Sequence, residues 1–529
     1  MGALPIRGNR AVTDASQAAT PHASGSRTIL GHPSMLWGLS TVEMWERFSY
    51  YGMRGLLVLF LTSATINGGF GWDGADALRL YGLYTGLVYA TPVIGGWLAD
   101  RVLGIRWAVI LGATSMALGH FSLAGPAAFP ALVGWSVGAD IHGIFAVAGV
   151  PLGGLSLSPE DLAALQLQAT GMGYGDIEGS LSLAYVLTTI SFYAGLILLI
   201  VGNGLFKPNM TTLVGHLYED GDPRKDSAYT IFYMGINLGA FIANLVAGTI
   251  GELVGWHYGF SVAGIGMTIG LVMFLWINRQ AHFRQAIAAR EPQRVNVTGD
   301  YALTTDELGR VRVIVILSVV SIMFWAAFEQ SGGLLNLIAF EQTDRMLFSF
   351  EIPATWFQSL NPLFIVLLAP LYAAFWNARA RRGKDPSSGV KFSIALVLIG
   401  AAFLLMTLAF AGTDRAEGER LNMLWLVAVY LLMTMGELAL SPVGLAAVNK
   451  LAPLRFASML MGVWFLSSAA AGFLAGEVGA LATVYGEFAL LAGLTATLFV
   501  PAAVRYAVSP IPVDWSVGSH RVAVPTPAQ

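Results

Sequence analysis

Four charged residues lie close together in one apolar stretch of the sequence. Glu43, Glu46, Arg47 and Arg54 fall within positions 36–63, and their spacing places them on one face of a helix. Four such charges facing lipid would oppose insertion by roughly 10 kcal/mol, so the face must point to a polar interior. Carboxylates that exchange basic partners can take up and release protons. The alternative interpretation is a mutually neutralised structural cluster.

Three further charged residues stand alone in other apolar stretches. They are Lys207, Glu329 and Glu437. Charged residues inside membranes usually serve a function, although each of these could be a buried partner in a structural ion pair. Lys207 directly precedes Pro208, and Glu437 is followed by Pro442. Proline lacks the amide N–H that a helix needs, so a hinge or a helix break is predicted at both prolines.

Several uncharged residues are weaker candidates. The amides of Asn237 and Asn361 could hold a ligand amine or simply bridge helices, and the proline after Asn361 also predicts a broken helix. Tyr89 and Trp464 could line a cavity, but aromatic residues in apolar helices usually serve packing. His120 is interpreted as a structural histidine.

The elements that must position these residues are membrane-spanning helices. The chain has 529 residues, of which 55% are hydrophobic and only 12% charged, and its mean hydropathy is +0.65. A soluble domain carries about 25% charged residues, so a lipid-facing surface is indicated. Stretches of about 20 apolar residues can cross a bilayer. Twelve are predicted, at 36–63, 77–99, 107–126, 186–216, 228–250, 258–278, 313–339, 357–377, 390–411, 423–447, 457–481 and 488–507.

The distribution of lysine and arginine among the short loops predicts that both termini are cytoplasmic. A basic linker with six predicted spans on either side gives two six-helix bundles, an all-α membrane protein of the major facilitator architecture. Within 127–185, a short helix is predicted to open at Ser158. The predicted organisation is a cytoplasmic arm (1–35), a first bundle (36–278) with an external insertion (127–185), a cytoplasmic linker (279–312), a second bundle (313–507) and a cytoplasmic tail (508–529).

Several stretches resemble one family. The segment T-V-E-M-W-E-R-F-S-Y-Y-G-M-R at 41–54 closely resembles the E-x-x-E-R-F-x-Y-Y-G motif of the proton-coupled oligopeptide transporter family, the peptide transporter branch of the major facilitator superfamily, in its bacterial type. Further similar stretches are G-G-W-L-A-D-R (95–101), G-N-G-L-F-K-P-N (202–209), F-Y-M-G-I-N-L-G-A-F (232–241), F-E-Q (328–330), W-F-Q-S-L-N-P (356–362) and G-E-L-A-L-S-P-V-G (436–444). The resemblance extends over nearly every predicted span, in order.

The resemblance implies a role for each matching residue. The residues implied in proton coupling are Glu43, Glu46, Arg47, Arg54 and Glu329, with Glu329 pairing with Arg54 near the external gate. The residues implied in peptide binding are Arg47 and Lys207 at the carboxylate, Glu437, Asn237 and Asn361 at the amino group, and Tyr50, Tyr51, Tyr89 and Trp464 along the cavity and its side-chain pocket. The charges suit a dipeptide zwitterion, because basic and acidic groups can fix its two ends by charge-assisted hydrogen bonds.

The sequence departs from the family pattern in three respects. The linker is too short for the two extra helices that many bacterial members carry. Phe328 precedes Glu329 where some members have two adjacent acids, and the second span lacks the histidine of animal members. The identity of the main proton acceptor is therefore left open. The role of 127–185 is also left open.

The expected function is proton-coupled import of di- and tripeptides by alternating access. The alternatives are transport of another small anion, such as nitrate, and a non-transporting sensor of the same fold. An enzyme is not expected, since H-E-x-x-H and cysteine are both absent from the sequence. The expected partners are the peptide, protons and the lipid bilayer, without a cofactor, metal or nucleic acid. The protein is expected to work as a monomer in the plasma membrane, the inner membrane of a bacterium.

Overall fold

The computed structural model describes residues 28–171, 177–219, 221–288, 304–414, 418–453 and 456–508. Most of the predicted arm (1–27), part of the linker (289–303) and nearly all of the tail (509–529) lie outside the described residues. The described part is almost entirely helical. Its α-helices are α1 (Ser34–Thr62), α2 (Gly74–Leu98), α3 (Ile105–Val137), α4 (Ile141–Ala148), α5 (Pro159–Gly171), α6 (Glu178–Gly215), α7 (Lys225–Ala243), α8 (Thr249–Leu253), α9 (Trp256–Arg279), α10 (Ala281–Ala288), α11 (Thr305–Phe328), α12 (Leu334–Leu337), α13 (Trp356–Arg381), α14 (Ser388–Ala411), α15 (Met423–Leu451), α16 (Ala457–Tyr485) and α17 (Glu487–Val508).

The strands are short and lie between helices. Three pairs form: Thr28–Ile29 antiparallel to His32–Pro33, Thr343–Asp344 parallel to Leu421–Asn422, and Met346–Leu347 antiparallel to Phe350–Glu351. Each strand has only two residues. The all-α fold class is confirmed, because these strands only tie loops to one another.

Each of the twelve predicted stretches overlaps a helix, but not every helix is apolar enough to be assigned as a span. Among the described residues, nine helices are long and apolar enough to cross a membrane. A tenth is added if the pair Ala128–Val137 and Ile141–Ala148, bent by 110°, counts as one broken span. The long helix α1, which carries the charged cluster, is not among the nine. The count of twelve spans therefore stays a prediction.

The helices pack into two halves. In the first, α1 packs against α7 and α9, and α3 lies against α6 and α9. In the second, α14 packs against α15 and α17, and α11 against α16. The halves meet where α2 packs on α16 and where α7 packs on α13. A Cβ added to Gly82 of α2 would lie 2.5 Å from the Cα of Gly476 on α16, so these helices approach too closely for a side chain there.

The end of the bundle where α1 finishes is called the distal end, and the opposite end, where α1 begins, the proximal end. At the distal end, Phe70 and Trp72 in the α1–α2 loop bind the chain after α4: the amide of Leu152 donates to the Phe70 carbonyl, and the Trp72 indole donates to the Leu152 carbonyl. The chain around Leu152 therefore packs on the distal end. As predicted, a short helix opens after Ser158, whose hydroxyl and amide exchange hydrogen bonds with Asp161.

The apolar span within α3 ends at Pro126, as predicted, although the helix itself continues to Val137 through Pro126 and Pro130. The predicted helix breaks at three other prolines are wrong. Breaks or hinges were expected at Pro208, Pro362 and Pro442, yet α6, α13 and α15 are each assigned as one helix through them. In a membrane bundle, neighbouring helices and side chains can satisfy the backbone groups that proline leaves free, so the helix persists.

A hairpin is docked at the proximal end. His32 lies 2.8 Å through Nδ1 from the hydroxyl of Tyr218, which is in the loop between α6 and α7. Arg224 donates to the Gly31 carbonyl over 3.1 Å and forms an ion pair with Asp222 at 2.7 Å. This pair lowers the pKa of Asp222 to about 2, chiefly through hydrogen bonds with Arg224. The hairpin at 28–33 is thus bound to the chain that connects two helices of the first half.

Candidate functional site

One ion pair joins the two halves of the protein. Nη2 of Arg54 on α1 donates to Oε2 of Glu329, just after α11, over 2.6 Å. The hydroxyl of Tyr81 on α2 completes a triad, since it accepts from Arg54 Nε at 2.7 Å and donates to Glu329 at 3.1 Å. All three side chains are buried. Each member of the triad is thus bonded to the other two, which offsets part of the cost of burying the charges.

Glu329 lies where the α11 helix is interrupted. The α-helix ends at Phe328, a single 3-10 turn follows over Glu329–Ser331, and helix resumes at Leu334. A Cβ added to Gly332 would lie 2.2 Å from the Tyr81 hydroxyl and 2.9 Å from Nη2 of Arg54. The interruption therefore places the carboxylate beside Arg54, and only glycine at position 332 leaves room for the triad.

A second charged cluster lies nearer the proximal end of α1. Nη2 of Arg47 donates to Oε1 of Glu46 at 2.7 Å, Nε of Arg47 also contacts Glu46, and the same Nε lies 3.4 Å from Glu43. Asn203 on α6 donates to Glu46 at 3.1 Å. Oε2 of Glu43 is buried without a hydrogen-bond partner among the described residues. One guanidinium therefore serves two carboxylates, and one oxygen of Glu43 is left without a hydrogen bond there.

The second half contributes an isolated carboxylate. Asn361 on α13 donates to Oε2 of Glu437 on α15 over 2.8 Å, and to the hydroxyl of Thr434 over 3.1 Å. In the first half, the ammonium of Lys207 lies 4.6 Å from the ring centroid of Tyr89, a cation–π contact. Neither Lys207 nor Glu437 forms an ion pair with another described residue, which leaves both charges available to a ligand.

A cavity of about 180 Å³ lies between the halves. Six of the residues proposed from the sequence line it: Tyr51, Arg54, Tyr89, Glu329, Asn361 and Glu437. Its wall therefore carries a cation from the first half and carboxylates from the second. Such a polar space between two bundles can hold a small charged molecule.

The other proposed residues lie elsewhere. Arg47 and Lys207 are not in the cavity lining, and Tyr50 is buried with its ring 5.2 Å from the Arg47 guanidinium. Asn237 donates to the Tyr233 carbonyl and lines a separate, mostly apolar groove. Trp464 is also outside the cavity lining: its ring packs on Phe392, with centroids 6.3 Å apart, and against Gly444.

Sequence reasoning missed several residues of the site. Tyr81 of the triad gave no signal, because a tyrosine in an apolar helix is indistinguishable from packing. Asn203 lies in the recognised stretch at 202–209, yet only the structure shows that it binds Glu46. Cavity residues that were not proposed are Trp325, Phe328, Ser331, Gln358, Pro362 and Tyr430. Gln358 could have been proposed from the sequence, because it is a polar residue in an apolar stretch, three positions before Asn361.

Further bonds join the halves at the distal end. Glu252 on α8 accepts hydrogen bonds from the amides of Ala354 and Thr355, each at 2.8 Å, and from the Thr355 hydroxyl at 2.7 Å. Arg345 lies 3.7 Å from Glu252 and 2.8 Å from Glu351. The Glu252 carboxylate thus caps the amide groups at the start of α13, with a cation beside it. The halves are therefore held together at this end.

Known proteins are similar to this chain in sequence and in fold. A model of the POT family matches residues 106–298 and 286–490. The uncharacterized transporter YclF of Bacillus subtilis is 34% identical over 86% of this chain and 89% of its own, and the peptide transporter YePEPT of Yersinia enterocolitica is 33% identical over the same shares. A variant of peptide transporter POT, solved in complex with alafosfalin, aligns with a TM-score of 0.71 at 31% identity over 92% of this chain and 96% of its own.

Proposed function

Since this chain belongs to the POT family of membrane transporters, we propose that it is a proton-coupled symporter that imports di- and tripeptides by alternating access. The single observation that carries the proposal is the cavity between the halves, with Glu437 in its second-half wall and Lys207 packed on Tyr89 of its first-half wall. Opposite charges on two rigid bodies suit a zwitterion whose binding draws the halves together. The family's relatives are transporters, not enzymes.

The peptide is held at its two charged ends. Glu437, with its Asn361 partner, receives the amino group, while Lys207 and Arg47 attract the carboxylate from the first half. Lys207 already lies against Tyr89, which lines the cavity, so a modest movement of this flexible side chain brings its ammonium to a ligand. Tyr51 and Trp325 offer the cavity tolerant aromatic surface for varied side chains.

Protons couple to this cycle through exchange of basic partners. Glu329 holds Arg54 while the distal end is closed, and a proton on Glu329 replaces the guanidinium when the halves separate there. Glu43 and Glu46 share Arg47, so a peptide carboxylate that attracts Arg47 favours proton uptake by one of them. The direction of import requires the proximal end to face the cytoplasm, which the lysine and arginine distribution favours. A bacterial inner membrane is the proposed location.

The test is uptake of dialanine into proteoliposomes with an inward proton gradient, with and without a protonophore. Uptake that collapses with the protonophore supports the proposal. The absence of gradient-driven uptake and of counterflow, in a preparation that binds dialanine, would instead favour a non-transporting sensor. Transport of nitrate without transport of dialanine would favour the anion carrier.

A further inference from the structure

A second pocket lies at the proximal end, remote from the interface between the halves. Its volume is about 280 Å³, and it is formed where the loop before α3 meets the short helix α10. Gly104, with φ of +75°, turns the chain into α3, and this turn places Arg106 beside Arg284 of α10 in the pocket wall. A tight turn and a surface helix thus bring together two cations that are far apart in the sequence.

The charges of this pocket are uncompensated. Neither Arg106 nor Arg284 forms an ion pair with any residue that the structure describes, and no acidic side chain lines the pocket. Helix α3 begins at this pocket with no side-chain cap and no acid in its first turn, so no side chain of its first turn neutralises its N-terminus. Two guanidinium groups beside a bare helix N-terminus are suited to a phosphate group.

The surroundings of the pocket are apolar and exposed. Trp107 in the pocket wall is 58% exposed, and the neighbouring Val102 is 67% exposed. Helix α10 is held against the bundle by two buried residues, Phe283 and Ile287, and the Phe283 ring lies 6.5 Å from the ring of Phe274 on α9. A tryptophan beside cations at the end of a helix bundle is typical of the membrane–water interface.

We propose that this pocket binds the phosphate headgroup of an anionic phospholipid, whose acyl chains run along Trp107 and Val102. The two arginines neutralise the phosphate, and the exposed apolar residues account for a lipid in place of a soluble phosphate. The bound lipid connects the loop before α3 to α10, where the link between the two halves begins. It is therefore placed to tie the first half to the linker.

The test is a titration of the purified full-length protein in neutral detergent with phosphatidylglycerol, followed by native mass spectrometry. The double variant R106Q/R284Q removes both cations of the pocket. The matched control R101Q/R279Q removes two exposed arginines from the same end without touching the pocket lining. At about 1 kcal/mol for each arginine near an anionic surface, the pocket variant is expected to bind the lipid roughly 30-fold more weakly, and R284Q alone about 5-fold more weakly.

The proposal is overturned if the control weakens binding as much as the pocket variant, since binding would then follow net charge. It is also overturned if inorganic phosphate displaces the lipid from the natural chain at millimolar concentration, because the site would then accept a free anion. Because Arg284 lies on the outside of the surface helix α10, R284Q decides the matter if the double variant does not fold. Phosphatidylcholine is expected to bind both variants and the natural chain equally.

Discussion

The guanidinium of Arg54 and the carboxylate of Glu329 lie 2.6 Å apart, and this bond joins the first half of the protein to the second. The side chains are only 7% and 5% exposed. A buried pair loses much more than a surface pair when one partner is removed, because the other charge is then left uncompensated. Opening of the distal end must break this bond. Another positive group, such as a proton, must then neutralise Glu329 in place of Arg54.

Replacing Glu329 with glutamine is expected to uncouple transport from the proton gradient. The amide cannot be protonated at this position, so an inward gradient should no longer accelerate dialanine uptake, while peptide counterflow persists. The measurement compares initial uptake with and without the gradient. Glu351→Gln is the matched control, because Glu351 is also at the distal end but its side chain is 53% exposed. Undiminished stimulation in the Glu329 variant would contradict the proposed exchange.

Replacing Glu46 with glutamine is expected to abolish gradient-driven uptake and to spare part of the counterflow. Glu46 is fully buried and binds both Arg47 and Asn203, so the charge that titrates is removed while the side chain keeps its shape. Both activities are measured in the same proteoliposomes. If they fall by the same factor, the residue has a structural role instead.

Replacing Lys207 with alanine is expected to weaken binding of a dipeptide far more than binding of its C-terminal amide. A charge-assisted hydrogen bond contributes about 1.5–3 kcal/mol, so the dipeptide should lose roughly 10- to 100-fold in affinity. Competition binding with both ligands measures the difference. Lys384→Ala, at an exposed lysine, serves as the control. An equal loss for the two ligands argues against a carboxylate contact.

Replacing Gly332 with alanine is expected to destabilise the protein by roughly 1–3 kcal/mol, the usual cost of overpacking. The added Cβ would lie 2.2 Å from the Tyr81 hydroxyl, so the triad must separate. Thermal unfolding in detergent measures the effect. Gly309→Ala on α11 is the control, since a Cβ there meets nothing within 4 Å. The idea fails if the two variants unfold at the same temperature.

The docked hairpin at 28–33 is expected to lose stability in strong base. Burial raises the pKa of Tyr218 to about 12, above its ordinary value near 10. Because the folded-state pKa is raised, the stability that the neutral Tyr218 hydroxyl contributes is fully present below pH 10. It is lost as the pH rises through about 12. A difference titration of tyrosinate absorbance between the natural chain and Tyr218→Phe isolates this group. A midpoint near pH 10 would show that the hydroxyl is not buried against His32.

Sequence reasoning was most successful where chemistry is local. Charged residues are so costly in an apolar helix that Glu43, Glu46, Arg47 and Arg54 could be assigned to one interior-facing side of α1 from spacing alone. The Arg54–Glu329 pair was implied by the family resemblance, and the structure brings the two residues into contact. The capped helix after Ser158 was also predicted correctly, because capping depends on neighbouring residues.

Geometry that depends on other helices could not be predicted in this way. Pro208, Pro362 and Pro442 lie within continuous helices because the bundle around them satisfies the freed backbone groups. Tyr81 approaches Gly332, beside the helix break that positions Glu329, and this is a contact between residues of different halves.

The sequence by itself determined the class of protein and the charges that its interior must accommodate, since apolar length and the cost of buried charge are properties of each segment. Only the tertiary structure decided which charges meet. It placed the Tyr81 hydroxyl against both Arg54 and Glu329, bonded Asn203 to Glu46, and bonded Asn237 to the Tyr233 carbonyl. The physical reason is that such contacts depend on the rotation and depth of each packed helix, which the pattern along a single helix does not specify.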